Sequence, residues 1–538
     1  MNERDDAPPE SVERRLLLEA GVSVAAFSAL AGARNGYAAP WRHSVAATRA
    51  GRVAGVRSDG VHVFKGVPYG ADTRATRFQI AAPPDPWKGV RDALEYGPSC
   101  PQPNAAEPTS EDCLCLNVWT PGLRDQGKRP VLVYFHGGEF SSGSGSSPLY
   151  DGAGLCRRGD VVVVTLNHRL NIFGHLYLAR FGGKSYANSG NVGLLDLVQA
   201  LTWVRDHAAE FGGDRDCVTV FGQSGGGAKI ATLMAMPAAR GLFHRAATMS
   251  GQQITASGPR SATLRARACL DAMQIDPENL EALLQADTER LIQATHAADP
   301  SLADRSIYFG PVLDHAALSR HPFYPDAPQL SKDIPMIIGN TRDETRAFNG
   351  NDPGIHELSW RELPERLLSA LYVDIQPEYV VAEYRALYPH YSPTEVFFAA
   401  TTAGRSWRGA VIEAELRAAQ GSPVFAYQLD FRSPLEGGRY GAMHTMDIPL
   451  MFDNIAQPGS LTGSSAEAQQ TAHHMSNALI AFARTGDPNH TGLPEWRRYT
   501  LPDRATMLFD ARAKLANDPR GGERQLFAQV PYTQRGTY

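Results

Sequence analysis

Short apolar runs alternate with stretches of helical periodicity from about residue 130 onward. "PVLVYFHGG" (130–138) predicts a buried strand that ends in glycines. "DVVVVTLNHR" (160–169) predicts another, because four successive valines suit a strand covered on both faces. In "NVGLLDLVQALTWVRDHAAEF" (191–211), Leu194, Leu195, Val198, Leu201, Thr202 and Val204 recur at helical spacing. "CVTVFG" (217–222), "HRAATMSG" (244–251) and "PMIIGN" (335–340) continue the strand series, and "GGAKIATLMAMP" (226–237) supplies a further helix. This alternation predicts the α/β class, with a mainly parallel central sheet and helices on both faces. The earlier "GRVAGVRSDGVHVFKGVPYG" (51–70) has short strands and turn glycines, which predicts an antiparallel edge.

Residues 252–330 and 350–420 are richer in charged, helix-favouring sequence and read as helical insertions over one end of the sheet. No linker and no internal repeat interrupts the chain, so residues 39–538 read as one domain. Residues 1–38 differ. Arg14-Arg15 precede an apolar run from Leu16 to Ala33 and the small-residue stretch "NGYAAP". That order predicts an export signal of the twin-arginine type, cleaved near Ala38, and a periplasmic or secreted mature chain. Glu3, Asp5, Asp6, Glu10 and Glu13 crowd the segment before it, and Glu19 interrupts the run. At about 18 residues the run is only marginally long enough for an anchor. No span is expected in the mature chain.

Composition narrows the partners. The 538 residues are 43% hydrophobic and 20% charged, which suffices for a large core. The net charge of −5 and the lack of a basic cluster argue against a nucleic-acid partner. None of the six cysteines forms a CxxC pair or has zinc spacing with histidine. His473 and His474 are adjacent, and neighbours on a helix do not share a face. Neither a metal nor a cofactor is expected.

The candidate chemistry sits in "CVTVFGQSGGGAKI" (217–230). A P-loop would need Gly-Lys-Ser/Thr after a four-residue gap. Gly227 is followed instead by Ala228, Lys229 and Ile230, so that reading fails. Gly222-Gln223-Ser224-Gly225-Gly226 fits a G-x-S-x-G elbow, in which a serine is thrust out at a strained strand-to-helix turn. A serine nucleophile needs a base, an acid to orient the base, and donors for an oxyanion. "FHGGEF" (135–140) ends a strand in glycines and offers backbone N–H groups to join that of Gly225. "GNTRDET" (339–345) offers two acids, Asp343 and Glu344, and "GAMHTMDIPLMF" (441–452) offers His444. The order serine, acid, histidine is the one this kind of sheet uses.

With those residues in view, the chain resembles the type-B carboxylesterases, the cholinesterase-like and para-nitrobenzyl-esterase-like family of α/β-hydrolases. "FGGDRDCVTVFGQSGG" (211–226) fits the family's serine signature, and "EDCLCLNVWTP" (111–121) fits its second signature except at Cys115. "FKGVPYG", "NHRLNIFG", "PVLDH" and "FARTGDPN" extend the resemblance over roughly residues 45–510. It implies an α/β-hydrolase fold with insertions over the active-site end, and a serine carboxylesterase acting on small-molecule esters without cofactor. It also implies catalytic roles for Ser224, Glu344 and His444, with Glu344 rather than Asp343 as the acid. Gly138, Glu139 and Gly225 would form the oxyanion hole, Ser250 and Asp447 would stand behind the triad, and Cys100 and Cys113 would form a disulfide. The chain departs from the family at Gln223, usually glutamate, and at Glu139, usually glycine or alanine. The loss of an acid at residue 223 argues against strong selection for cationic substrates. Two other readings share the same machinery or fold: an amidase or carbamate hydrolase, and a non-catalytic binding protein of this family.

Overall fold

The computed structural model describes residues 43–302 and 305–537. The export-signal expectation falls on residues 1–38 and so lies outside the described residues. Among those described, the strands are β1 (His43–Ala47), β2 (Arg52–Ser58), β3 (Val61–Pro68), β4 (Val90–Asp92), β5 (Cys115–Thr120), β6 (Arg129–Phe135) and β7 (Val162–Leu166). They continue as β8 (Gly213–Gln223), β9 (Arg245–Met249), β10 (Met336–Thr341), β11 (Val424–Leu429), β12 (Ala505–Phe509) and β13 (Lys514–Asn517). One sheet joins them in the order β1-β2-β3-β5-β7-β6-β8-β9-β10-β11-β12-β13, with β4 paired to β2. The run from β7 through β12 is parallel, and β1, β2, β3 and β5 form the antiparallel edge expected from the turn glycines.

The valine run explains the architecture. Alternate residues of a strand point to opposite faces. Val162 and Val164 enter one core, with Val131 and Val133 of β6 and with Leu194, Leu197 and Leu201 of the helix Val192–His207. Val161 and Val163 enter the other core, with Leu132 and Tyr134 and with Met475, Leu479 and Phe482 of the helix Ala466–Thr485. Both faces are therefore covered, and a strand with no polar side survives only in that setting. Each fully buried valine or leucine contributes about 1.5–3 kcal/mol.

The insertions are less regular than their composition suggests. Residues 252–330 contain the helices Pro259–Ala272, Leu280–Leu284 and Thr288–Ala294, and much of the rest is irregular. Residues 350–420 are more helical and build a satellite core, in which Leu363, Val380, Tyr384 and Phe397 pack with Leu526 and Phe527 from near the C-terminus. Both insertions reach the end of the sheet where β6, β8 and β10 finish.

Candidate active site

β8 ends at Gln223, and Ser224 caps the helix Gly225–Leu233. Ser224 has φ 56° and ψ −127°, a conformation that persists only where the surroundings enforce it. Its N–H donates to the Met249 carbonyl at 2.8 Å, and its carbonyl accepts from Ala228 N–H at 3.1 Å. A Cβ on Gly226 would lie 1.9 Å from the Phe135 carbonyl oxygen, so the helix can begin against β6 only with glycine there. Gly226→Ala is expected to cost at least ~1–3 kcal/mol of stability through overpacking. It is also expected to lower kcat at least ~10²-fold by displacing the elbow. A melting curve and the rate on p-nitrophenyl butyrate check both.

β10 delivers the acids, and they divide their work. Glu344 is fully buried, and its Oε2 is hydrogen-bonded to His444 Nδ1. Its Oε1 accepts from Thr341 N–H at 2.8 Å and from Asn340 Nδ2 at 3.2 Å. Burial alone would push this carboxyl up, but the His444 contact and the Thr341 donor hold it below the ordinary carboxylate value. Asp343 shapes the histidine loop instead, because its Oδ2 accepts from Ala442 N–H at 3.0 Å and its own N–H donates to the Ala442 carbonyl at 2.9 Å.

Ser250 is buried beside Glu344, and the approach of its hydroxyl helps hold that carboxyl down, although the geometry falls short of a well-aligned hydrogen bond. Asp447 is also fully buried. Its Oδ2 accepts from Tyr427 Oη at 2.9 Å, and burial together with the Glu344 charge pushes its carboxyl up to about 7.

Gln223 touches the imidazole in an unexpected way. Its Nε2 is 3.1 Å from His444 Nε2 and 3.3 Å from Nδ1. The two ring nitrogens are separated by a carbon, so an atom this close to both lies over the ring face and not in its plane. The in-plane lone pair of Nε2 is left for Ser224. The hydrogen bonds of His444 run to Glu344 and Gln223, and a catalytic Ser–His bond is often formed only as substrate tightens a site.

The glycine-ended β6 places the loop beside the serine. Gly138 and Glu139 take φ values of 83° and 53°. A Cβ on Gly225 would lie 2.5 Å from Glu139 N, and one on Gly137 would lie 3.4 Å from Ser224 Cβ. The Gly137–Glu139 backbone thus packs directly on the elbow. The Glu139 side chain is exposed at the wall of the cavity that holds Ser224, His444, Glu344 and Ser250.

That cavity measures about 220 Å³. Tyr308, Phe309 and Phe348 line it, together with Tyr372. Trp407 and Phe431 do not: Trp407 packs under the Arg520 guanidinium at 4.3 Å, and Phe431 belongs to the core. Phe348 lies 5.2 Å from the His444 ring. The sequence reading missed Arg305, Tyr372, Arg405 and the C-terminal Tyr532–Arg535, all of which reach the cavity. It also missed Lys229. No motif or periodicity marks these residues, because only the packing of distant segments brings them to the serine.

The two cysteines of the expected disulfide, Cys100 and Cys113, lie side by side. Cys100 and Cys113 are free thiols, both buried and in side-chain hydrogen-bond contact, which together with burial pushes the Cys113 thiol well up. Oxidation depends on the redox surroundings and not on the fold alone. Among the described residues, no helix is long and apolar enough to cross a membrane.

The sheet with its covered faces, and a serine elbow facing a Glu–His pair, define an α/β-hydrolase of the carboxylic-ester class. The chain belongs to the carboxylesterase family, whose model matches residues 42–527. It is 35% identical over 503 residues to the para-nitrobenzyl esterase of Bacillus subtilis, covering 90% of this chain and 98% of that protein. It is 36% identical to phenmedipham hydrolase of Pseudarthrobacter oxydans, covering 88% of this chain and 97% of that one. The crystal structure of the Geobacillus stearothermophilus carboxylesterase EST55 superposes with a TM-score of 0.79 at 39% identity, covering 89% and 99% of the two chains. The protein is a serine carboxylesterase, an enzyme that hydrolyses carboxylic esters.

Proposed function

We propose that Ser224, His444 and Glu344 perform this hydrolysis as nucleophile, general base and orienting acid. The carrying observation is that the strained Ser224 elbow and the Glu344–His444 hydrogen bond open into one cavity. His444 Nε2 takes the Ser224 proton as Oγ attacks the ester carbonyl. The N–H groups of Gly138, Glu139 and Gly225 receive the oxyanion. His444 then protonates the leaving alcohol and activates the water that frees the acid. Gln223 over the ring face, with Ser250 and Asp447 behind the acid, keeps the imidazole in position.

A fluorophosphonate probe tests this reading. The expected result is a single adduct on the peptide bearing Ser224, formed in parallel with loss of p-nitrophenyl acetate turnover. An adduct elsewhere would overturn the assignment.

A second reading extends the same machinery to carbamates and amides, and the relative named phenmedipham hydrolase favours it. Comparing kcat/KM on matched ester and anilide substrates separates the two.

We also infer export, from Arg14-Arg15, the apolar run after them and "NGYAAP". A mature N-terminus near residue 39, read by mass spectrometry of the exported protein, is the expected result. One continuous sheet from β1 to β13 supports the reading of residues 39–538 as a single domain.

A further inference from the structure

Behind the oxyanion loop lies a charged group that the mechanism above does not use. Lys229 is fully buried on the helix that Ser224 caps. It stands three residues after Gly226, on the same helical face. Gly226 lets this helix touch the end of β6, and Lys229 continues that contact: its Nζ donates to the His136 carbonyl oxygen at 3.1 Å. His136 immediately precedes Gly137-Gly138-Glu139. The Phe140 ring, on the far side of the same loop, lies 5.7 Å from Nζ. The lysine therefore grips the oxyanion loop at its root, while the loop's other end rests on Gly225.

The surroundings hold little charge to balance it. His136 and His168 stack at 4.9 Å between centroids, and His175 lies nearby. Burial, reinforced by the Lys229 charge, depresses all three imidazoles, His136 and His175 to about 3. They are neutral throughout the working pH range. Arg169 is already matched by Asp196, at 2.7 and 2.8 Å. Glu139 acts on Lys229 as the acid of the cavity wall, and among the described residues Lys229 makes no ion pair within 4.0 Å. A buried ammonium without a close counter-ion is costly to desolvate, so its presence calls for a compensating use. Charge placed behind donors that will meet an oxyanion is such a use, because it acts most strongly when the negative charge develops in a dry site.

We propose that Lys229 is a positioning residue for the oxyanion loop, whose ammonium group holds the His136 carbonyl and projects positive charge toward the oxyanion formed at Ser224. The inference rests on the reading of Ser224 and its loop given above. Neutral Lys229 can still donate one N–H to His136, so the loop keeps its shape when the charge is lost. Shape and charge are therefore separable by pH. Burial, partly opposed by Glu139, lowers this ammonium to about 7. The charge is present below that value and is lost as pH rises through it.

The test follows kcat and KM on p-nitrophenyl acetate from pH 5.5 to 9.5, together with the affinity of a trifluoromethyl ketone that forms a hemiketal oxyanion on the serine. In wild type, kcat is expected to decline on the alkaline side and ketone affinity to weaken about tenfold between pH 6 and 9. In Lys229→Gln, kcat is expected to be about tenfold lower near pH 6 with KM within twofold, and both alkaline declines are expected to vanish. A folded, Ser224-labelled Lys229→Gln with the wild-type profiles would overturn the proposal and leave Lys229 a packing residue. Should the variant fail to fold, the wild-type ketone titration decides alone, and a flat curve overturns the proposal. Labelling of wild type away from Ser224 would instead overturn the site reading, which keeps the two failures apart.

Discussion

Ser224→Ala is expected to lower kcat on p-nitrophenyl butyrate by roughly 10⁶-fold, the scale seen when a serine hydrolase loses its nucleophile. Without Oγ no acyl-enzyme forms, and the oxyanion donors with the binding pocket leave only a residual of roughly 10³–10⁴ over water. Fluorophosphonate labelling is expected to disappear. The fold is expected to survive, because the elbow is held by the Met249 and Ala228 backbone contacts and by the glycine at residue 226, not by the serine hydroxyl. A melting curve checks that point. Turnover that persisted in the folded variant would move the nucleophile elsewhere.

Glu344→Gln is expected to lower kcat by about 10⁴-fold through a different route. The Oε1 side of this group is fixed by donors from Thr341 and Asn340, so the amide oxygen takes that side and the amide nitrogen faces His444. Nδ1 must then accept, the imidazole proton moves to Nε2, and no base points at Ser224. Asp343→Asn serves as the contrast. Asp343 holds the Ala442 backbone, so its loss is expected to cost about tenfold or less. The same carboxylate couples folding to pH. Because Glu344 is held below its ordinary value of 4.5, its contribution to stability is fully present above that value and is lost as pH falls through the folded-state value. Wild type is expected to lose melting temperature below about pH 4.5 more steeply than Glu344→Gln. Identical slopes would show that the Glu344–His444 contact does not form in solution.

Much of the sheet was legible, for reasons that particular residues show. The valines of β7 and the apolar β6 and β10 have no polar face, and only a strand between two layers can use such a run. The elbow was legible because its chemistry is local. Strand, serine and glycines adjoin in sequence, although the steric demand that Gly226 meets comes from the Phe135 carbonyl of β6. His444 and the choice of Glu344 over Asp343 were legible only through the family resemblance, since two adjacent acids look alike in a sequence. The structure separates them: one meets the imidazole and the other a backbone amide. The insertions were recognised as insertions, but their inward-facing side chains were not. Arg405 sits 3.9 Å from the Phe348 ring although 57 residues part them, and helical periodicity carries no trace of that neighbour.

The sequence by itself determined the fold class, the position of the serine elbow and the kind of reaction, because each depends on short-range pattern or on a motif whose residues are contiguous. Tertiary structure alone decided which acid meets His444, how Gln223 lies over the ring face and which side chains wall the cavity. It also brought Cys100 and Cys113 side by side, and set the buried Lys229 against the His136 carbonyl at the root of the Gly137–Glu139 loop. Those outcomes depend on where segments apart in the sequence come to rest, and on the desolvation and charge each group meets there.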